Sequence, residues 1–148
     1  MSKPGELHFG VTIEVRDSCV CLHVQRAARA LARRYDEALR PAGLTSGQFS
    51  LLMSLNRPEP PRMGSVAKLL AMDRTTLTAN LKPLERQCLV EVAADPADRR
   101  SRRLVLTSEG RAALTTAMPF WRKEQAETQR RLGDIRVGDM CRDLASLS

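Results

Sequence analysis

A mainly α fold carrying one small β-hairpin (α+β) is what this sequence predicts, and three observations predict it. Apolar residues recur at spacings of three and four over most of the chain, as they do along one face of a helix. Two short runs, 89–94 and 102–107, alternate instead, on either side of the turn-forming string DPADRRS. Pro41 with Gly43, and the cluster Pro58, Pro60 and Pro61, break the helical pattern cleanly.

The first helix is expected over 17–41, where Val20, Val24, Ala27, Leu31, Tyr35 and Ala38 draw a single stripe. Arg26, Arg29, Arg33 and Arg34 cover much of its remaining surface. Asp17 or Ser18 is its expected cap, and Pro41 and Gly43 stop it. So long a helix in so small a domain calls for a partner beyond its own subunit. Residues 1–16 read as a loose N-terminal arm, and 17–148 as one structural unit.

Thr45 opens a second helix, with Phe49, Leu52 and Leu55 on one buried face. A short third helix over 63–71 and a fourth from Asp73 to about Gln87 follow on a tight turn, the pattern of a helix-turn-helix. The alternating runs after it form a hairpin with a charged tip, so the whole reads as a winged helix-turn-helix. Thr107 caps a long fifth helix in which Leu114, Met118 and Trp121 are apolar and Pro119 introduces a kink. Val137, Met140, Cys141, Leu144 and Leu147 then mark a last helical segment.

With 24 Lys and Arg against 17 Asp and Glu, the net charge is +7, which favours a polyanionic partner. No apolar stretch is long enough to span a bilayer, and no secretory signal opens the chain, so a cytoplasmic location without membrane attachment is expected. Cys19, Cys21, Cys88 and Cys141 form no CxxC pair and no spaced Cys/His quartet; they read as thiols, with no metal or cofactor called for. The sequence holds no phosphate-binding glycine loop, nucleophile elbow or hydrolytic His/carboxylate spacing, and this excludes an enzyme with catalytic residues of those kinds.

On the fourth helix Leu77, Leu81 and Leu84 point inward and leave Arg74, Thr75, Thr76, Thr78, Ala79, Lys82 and Arg86 for solvent. Threonines offer a hydroxyl and a methyl to base edges without crowding a major groove. The flanking cations suit the phosphate backbone. In the hairpin, Arg99, Arg100, Arg102 and Arg103 are packed into five positions, and guanidinium groups suit the negative potential of a narrow minor groove. Asp98 is the expected internal partner that orients one of them.

These strings resemble the MarR family: the long first helix, LTSGQFSLL, SVAKLLAMDRTTLTANLKPLERQCLV and DPADRRSRRLVLTSEG. The last is the most specific, with Asp98, Arg100, Leu106 and Thr107 matching the family's Asp-x-Arg wing and the Leu-Thr that starts the next helix. The resemblance implies a DNA-binding regulator, a repressor, that binds a palindromic operator as a homodimer and is released by a small aromatic or phenolic ligand. It assigns 45–107 to the DNA-binding lobe, and 17–41 with 108–148 to dimerisation. Two departures stand out: Cys88 occupies a position where the family commonly has glycine, and Pro83 lies inside the recognition helix, where a bend near Ala79 is expected.

Cys21 is placed like the reactive cysteine of the family's organic-hydroperoxide-sensing branch, and Tyr35 like a tyrosine that bonds the thiol there. The second tyrosine of that arrangement falls at Gln25. Cys19 and His23 complete the residues that a redox or ligand signal could engage. A winged-helix module for protein association, without DNA recognition, is the alternative of another class.

Overall fold

The computed structural model describes Gly5 and residues 7–148. Residues 1–4 and 6, part of the expected arm, lie outside the described residues. The chain divides into two compact units, residues 1–34 and residues 35–148, with one helix running across the boundary.

The first unit contains α1 (Phe9–Ser18) and the opening turns of α2 (Val20–Leu39). Helix α1 lies where the sequence reading placed a loose arm. Its apolar residues Phe9, Val11, Ile13 and Val15 alternate with others instead of following helical spacing, so periodicity gave no sign of it, and none of its residues is buried. His8 Nδ1 accepts the Gly10 N–H at 3.1 Å and caps its start. The backbone turns extended at Cys19, with ψ of 106°. That residue then opens α2: its carbonyl accepts from His23 N at 3.2 Å and its Sγ from Leu22 N at 3.4 Å. Cys19 is therefore the cap, and neither Asp17 nor Ser18 is. Asp17 pairs with Arg16 at 2.6 Å, while the Ser18 hydroxyl donates to Glu14 O.

In the second unit, α2 ends at the buried Leu39 and passes into a single 3-10 turn, Arg40–Ala42, that Pro41 starts and Gly43 closes with φ +72°. Thr45 then begins α3 (Ser46–Leu55) with a capping box: its hydroxyl accepts from Gln48 N at 3.2 Å, and Gln48 Oε1 accepts from Thr45 N at 3.1 Å. Asp36 Oδ1 adds an acceptor for Ser46 N at 2.6 Å. Phe49, Leu51, Leu52 and Leu55 are buried, and the Phe49 ring stacks on Trp121 with centroids 6.1 Å apart.

The remaining elements are α4 (Met63–Leu69), α5 (Arg74–Arg86), β1 (Val90–Asp95), β2 (Asp98–Leu106), α6 (Ser108–Leu132) and α7 (Val137–Ala145). Strands β1 and β2 form one antiparallel pair from Val90↔Leu106 to Ala94↔Arg102, with a register shift at Ala94/Asp95. One core joins these parts, built from Leu39, Leu44 and the α3 face, Val66, Leu77, Leu81, Leu84, Val90, Leu104, Leu106, Leu114 and Ala117. The fold is thus a mainly helical one with a two-stranded hairpin, as the sequence predicts. Among the described residues no helix is long and apolar enough to cross a membrane.

Thr107 links hairpin and α6. Its hydroxyl donates to Cys88 O at 2.7 Å and accepts from Gly110 N at 3.0 Å, so one side chain caps the helix and fastens it to the junction between α5 and β1. Gly110 sits against that junction: a Cβ there would lie 2.3 Å from the Leu89 carbonyl oxygen and 2.6 Å from Leu106 Cδ1. Backbone cannot yield as a flexible side chain can. Gly110→Ala is therefore expected to cost about 1–3 kcal/mol or more, read as a lower denaturant midpoint, although alanine is the better helix former.

Candidate nucleic-acid interface

Helix α5 is positioned by both of its ends. After α4 the chain turns through Ala71 at φ +51°, with Met72 N bonded to Ala67 O at 2.9 Å. Asp73 follows as the cap of α5, its Oδ1 accepting from Thr76 N at 2.7 Å. Chiefly through that N–H, the Asp73 carboxyl is held below the usual aspartate range. Leu77, Leu81 and Leu84 are buried, as the stripe predicts, so the rotation of the helix about its axis is set.

On the opposite side Arg74, Thr75, Thr78, Ala79 and Lys82 line one open concavity of about 320 Å³. These are five of the seven residues that the sequence assigned to the outer face. Thr76 and Arg86 are also exposed, outside that lining. The Thr78 hydroxyl donates to Arg74 O at 2.8 Å, which commits its proton to the helix backbone and leaves the oxygen able to accept. Helix α5 continues through Pro83 to Arg86 and closes at Cys88, whose φ of +59° is the left-handed conformation expected at this position.

The hairpin differs from expectation in length. Its turn is only Pro96 and Ala97, and β2 starts at Asp98, so Arg99, Arg100 and Arg102 stand on a strand and not in a loop. Two aspartates tighten the turn, Asp95 Oδ1 accepting from Ala97 N at 3.0 Å and Asp98 Oδ1 from Arg100 N at 2.9 Å. Asp98 thus orders the backbone of Arg100 and not its guanidinium group. Arg99, Arg100 and Arg102 are exposed and have no ion-pair partner among the described residues.

The carboxylate that does hold arginines is Asp95, which the sequence reading missed. Its side chain is fully buried, with Arg62 Nε at 2.8 Å and Arg103 Nε at 3.3 Å from Oδ2. The Ala97 N–H first, and then the two guanidinium groups, keep it below the usual aspartate range. Arg103 also donates to Pro60 O at 2.8 Å and is thereby separated from its three exposed neighbours. Asp95 and Arg62 lie far apart in sequence, and no periodicity connects them.

Of the residues proposed for sensing, Cys19, Cys21 and His23 are engaged within their own helices or the neighbouring turn, and Tyr35 reaches α6. Cys21 is exposed and its Sγ accepts from Gln25 Nε2 at 3.4 Å. The Tyr35 hydroxyl donates to Gln125 Oε1 at 2.7 Å. His23 Nε2 lies 3.0 Å from Arg16 O, and the sulfur of Cys19 caps α2 as described.

A protein-family model described as the MarR family matches residues 44–101, from the start of α3 to the hairpin. The transcriptional activatory protein BadR of Rhodopseudomonas palustris is 32% identical over 123 residues, which is 80% of this chain and 69% of BadR. The chain belongs to the MarR family. The crystal structure of the M. tuberculosis transcriptional regulator MosR in complex with DNA is similar at TM-score 0.79 and 44% identity, covering 88% of this chain and 93% of that one. BpsR of Bordetella bronchiseptica, whose DNA binding is regulated by 6-hydroxynicotinic acid, is similar at TM-score 0.70 and 26% identity over 97% of this chain and 95% of its own. This MarR-family chain is a DNA-binding transcriptional regulator with the winged helix-turn-helix fold, and not an enzyme.

Two measurements test the geometry of this lobe. Cys88→Gly removes a left-handed non-glycine residue and is expected to raise stability by up to about 1 kcal/mol, read from thermal or denaturant unfolding. The carboxylates of Asp36, Asp73 and Asp95 are all more acidic than usual, the first chiefly through Ser46 N–H. Each lowered value means that the group's stabilisation is complete above the ordinary aspartate value of about 4 and is lost as pH falls through the lower folded value. Unfolding free energy should therefore fall below about pH 4, and Asp73→Asn should remove part of that fall.

Proposed function

We propose that two copies of this chain bind one palindromic DNA duplex, with α5 in a major groove and the hairpin arginines at the adjacent minor groove of each half-site. The observation that carries this reading is the single surface of Arg74, Thr75, Thr78, Ala79 and Lys82, held outward by three buried leucines. Thr75, Thr76, Thr78 and Ala79 read base edges, while Arg74, Lys82 and Arg86 neutralise phosphates. Arg99, Arg100 and Arg102, exposed and without carboxylate partners among the described residues, supply the minor-groove contact, and Asp98 holds the turn from which they project.

The homodimer draws support from apolar side chains that the lone chain leaves in solvent. Phe9, Val15, Val20 and Val24 are exposed in the first unit, and Ile135, Leu144 and Leu147 at the C-terminal end of the second. Residues 17–41 and 108–148 are accordingly the dimerisation segments and 45–107 the DNA-binding lobe, with α1 added to the first. A twofold protein implies half-sites about one helical turn apart. The regulator acts in the cytoplasm as a repressor whose DNA affinity falls when a small aromatic acid binds, a reading supported by the control of BpsR by 6-hydroxynicotinic acid. We place small-ligand control ahead of thiol control because the Tyr35 proton is already donated to Gln125 and Gln25 stands where the thiol-sensing pattern has its second tyrosine.

Genomic footprinting of the purified protein should recover a palindromic site, on which fluorescence titration tests the residues. Wild type is expected to bind the duplex with an affinity that falls steeply as salt rises. Arg100→Ala should weaken binding about tenfold on cognate and unrelated duplexes alike, whereas Thr78→Ala should chiefly narrow the gap between them. Wild-type behaviour by both variants on both duplexes would refute the site assignment.

A further inference from the structure

The segment before α4 is built into the wing. Pro60 and Pro61 have no N–H to give, but their carbonyls accept from Arg103 Nη1 at 2.8 Å and from Leu104 N at 2.9 Å, and Arg62 bridges Arg103 in antiparallel register. The backbone of Arg62 is in turn tied to α4, its carbonyl accepting from Ser65 N at 3.1 Å, Val66 N at 3.2 Å and the Ser65 hydroxyl at 2.8 Å. Arg62 is thus both the cap residue of the first helix of the helix-turn-helix and a rung on the hairpin.

Asp95 closes this arrangement from the hairpin turn. Its Oδ1 holds the turn through Ala97 N, and its Oδ2 lies between the Nε atoms of Arg62 and Arg103. A fully buried carboxylate is strongly disfavoured without a cation beside it, so the turn cannot swing away from α4 without stranding that charge. One carboxylate faces two guanidinium groups, and the excess positive charge is carried outward by Arg62, whose side chain is 51% exposed where that of Arg103 is 27% exposed.

From this geometry we infer that Asp95 is a positioning residue that locks the wing to the helix-turn-helix through Arg62 and Arg103, and that Arg62 is a further contact to the DNA phosphate backbone. The inference rests on the DNA-binding reading above. A protein that grips adjacent grooves needs its recognition helix and wing at a fixed separation, and the Asp95 cluster joins the two parts by charge as well as by backbone pairing.

The test is titration of the footprinted duplex over a series of salt concentrations, with circular dichroism confirming that each variant is folded at the temperature used. Arg62→Gln should weaken binding about tenfold and reduce the slope of log affinity against log salt by about one. Arg62→Lys, which keeps the charge, should restore that slope. Asp95→Asn keeps the shape and an acceptor for Ala97 N but removes the negative charge, and should weaken binding by more than Arg62→Gln does. If Arg62→Gln is folded and binds with wild-type affinity and slope, the inference is overturned, whatever either variant does to melting temperature; this holds even if Asp95→Asn fails to fold. Absence of duplex binding by the wild type would instead bring down the functional reading, and this inference with it.

Discussion

Burial of Leu77, Leu81 and Leu84 on one side of α5 is the constraint on which the rest of the molecule depends. Full burial of such a side chain contributes about 1.5–3 kcal/mol, so rotating the helix would forfeit several kcal/mol at once. That term fixes which way Arg74, Thr75, Thr78, Ala79 and Lys82 face, although none of them contributes to it. The residues on the outward side of this helix can therefore vary while its orientation is held by the core. The same core takes in Leu104 and Leu106 of β2, so the base of the wing and the inner side of the helix share one set of contacts.

The junctions at both ends of α5 use residues that resist the required conformation. Ala71 and Cys88 both have positive φ, at 51° and 59°, where a side chain costs about 1–2 kcal/mol. Each is held by hydrogen bonds from its neighbours: Met72 N to Ala67 O at one end, Leu89 N to Leu84 O and the Thr107 hydroxyl to Cys88 O at the other. The tight turns they make keep α4 and β1 close to α5, which a longer and more relaxed connection would not do.

What could be read from sequence follows from where each signal resides. The leucine stripe and the Thr45 and Thr107 caps are local patterns that survive in the structure at the residues that carried them, and the alternating runs mark the two strands, although β2 begins four residues earlier than its run. The left-handed Cys88 was legible only because a glycine was expected there; Ala71 had no comparable cue. Helix α1 was illegible because Phe9, Val11, Ile13 and Val15 alternate, which mimics a strand. The true hairpin turn was hidden because Asp98, Arg99, Arg100 and Ser101 are all polar and show no alternation, and the Arg62–Asp95–Arg103 cluster by long-range pairing that leaves no periodic trace. The outward side of α5 was therefore legible, whereas the contacts that join the hairpin to α4 were not.

The prolines that precede α4 have a consequence for the behaviour of the protein in a crowded cell. A hairpin with an unpaired edge is a template onto which a strand from another molecule can zip. Here the β2 edge is taken up by the segment at Pro61 and Arg62, and Pro60 and Pro61 present no amide hydrogen on the outside of that segment. On the β2 side near Arg103 and Leu104 the sheet therefore ends in a stretch poor in donors, which discourages edge-to-edge growth there while Arg99, Arg100 and Arg102 stay open to solvent.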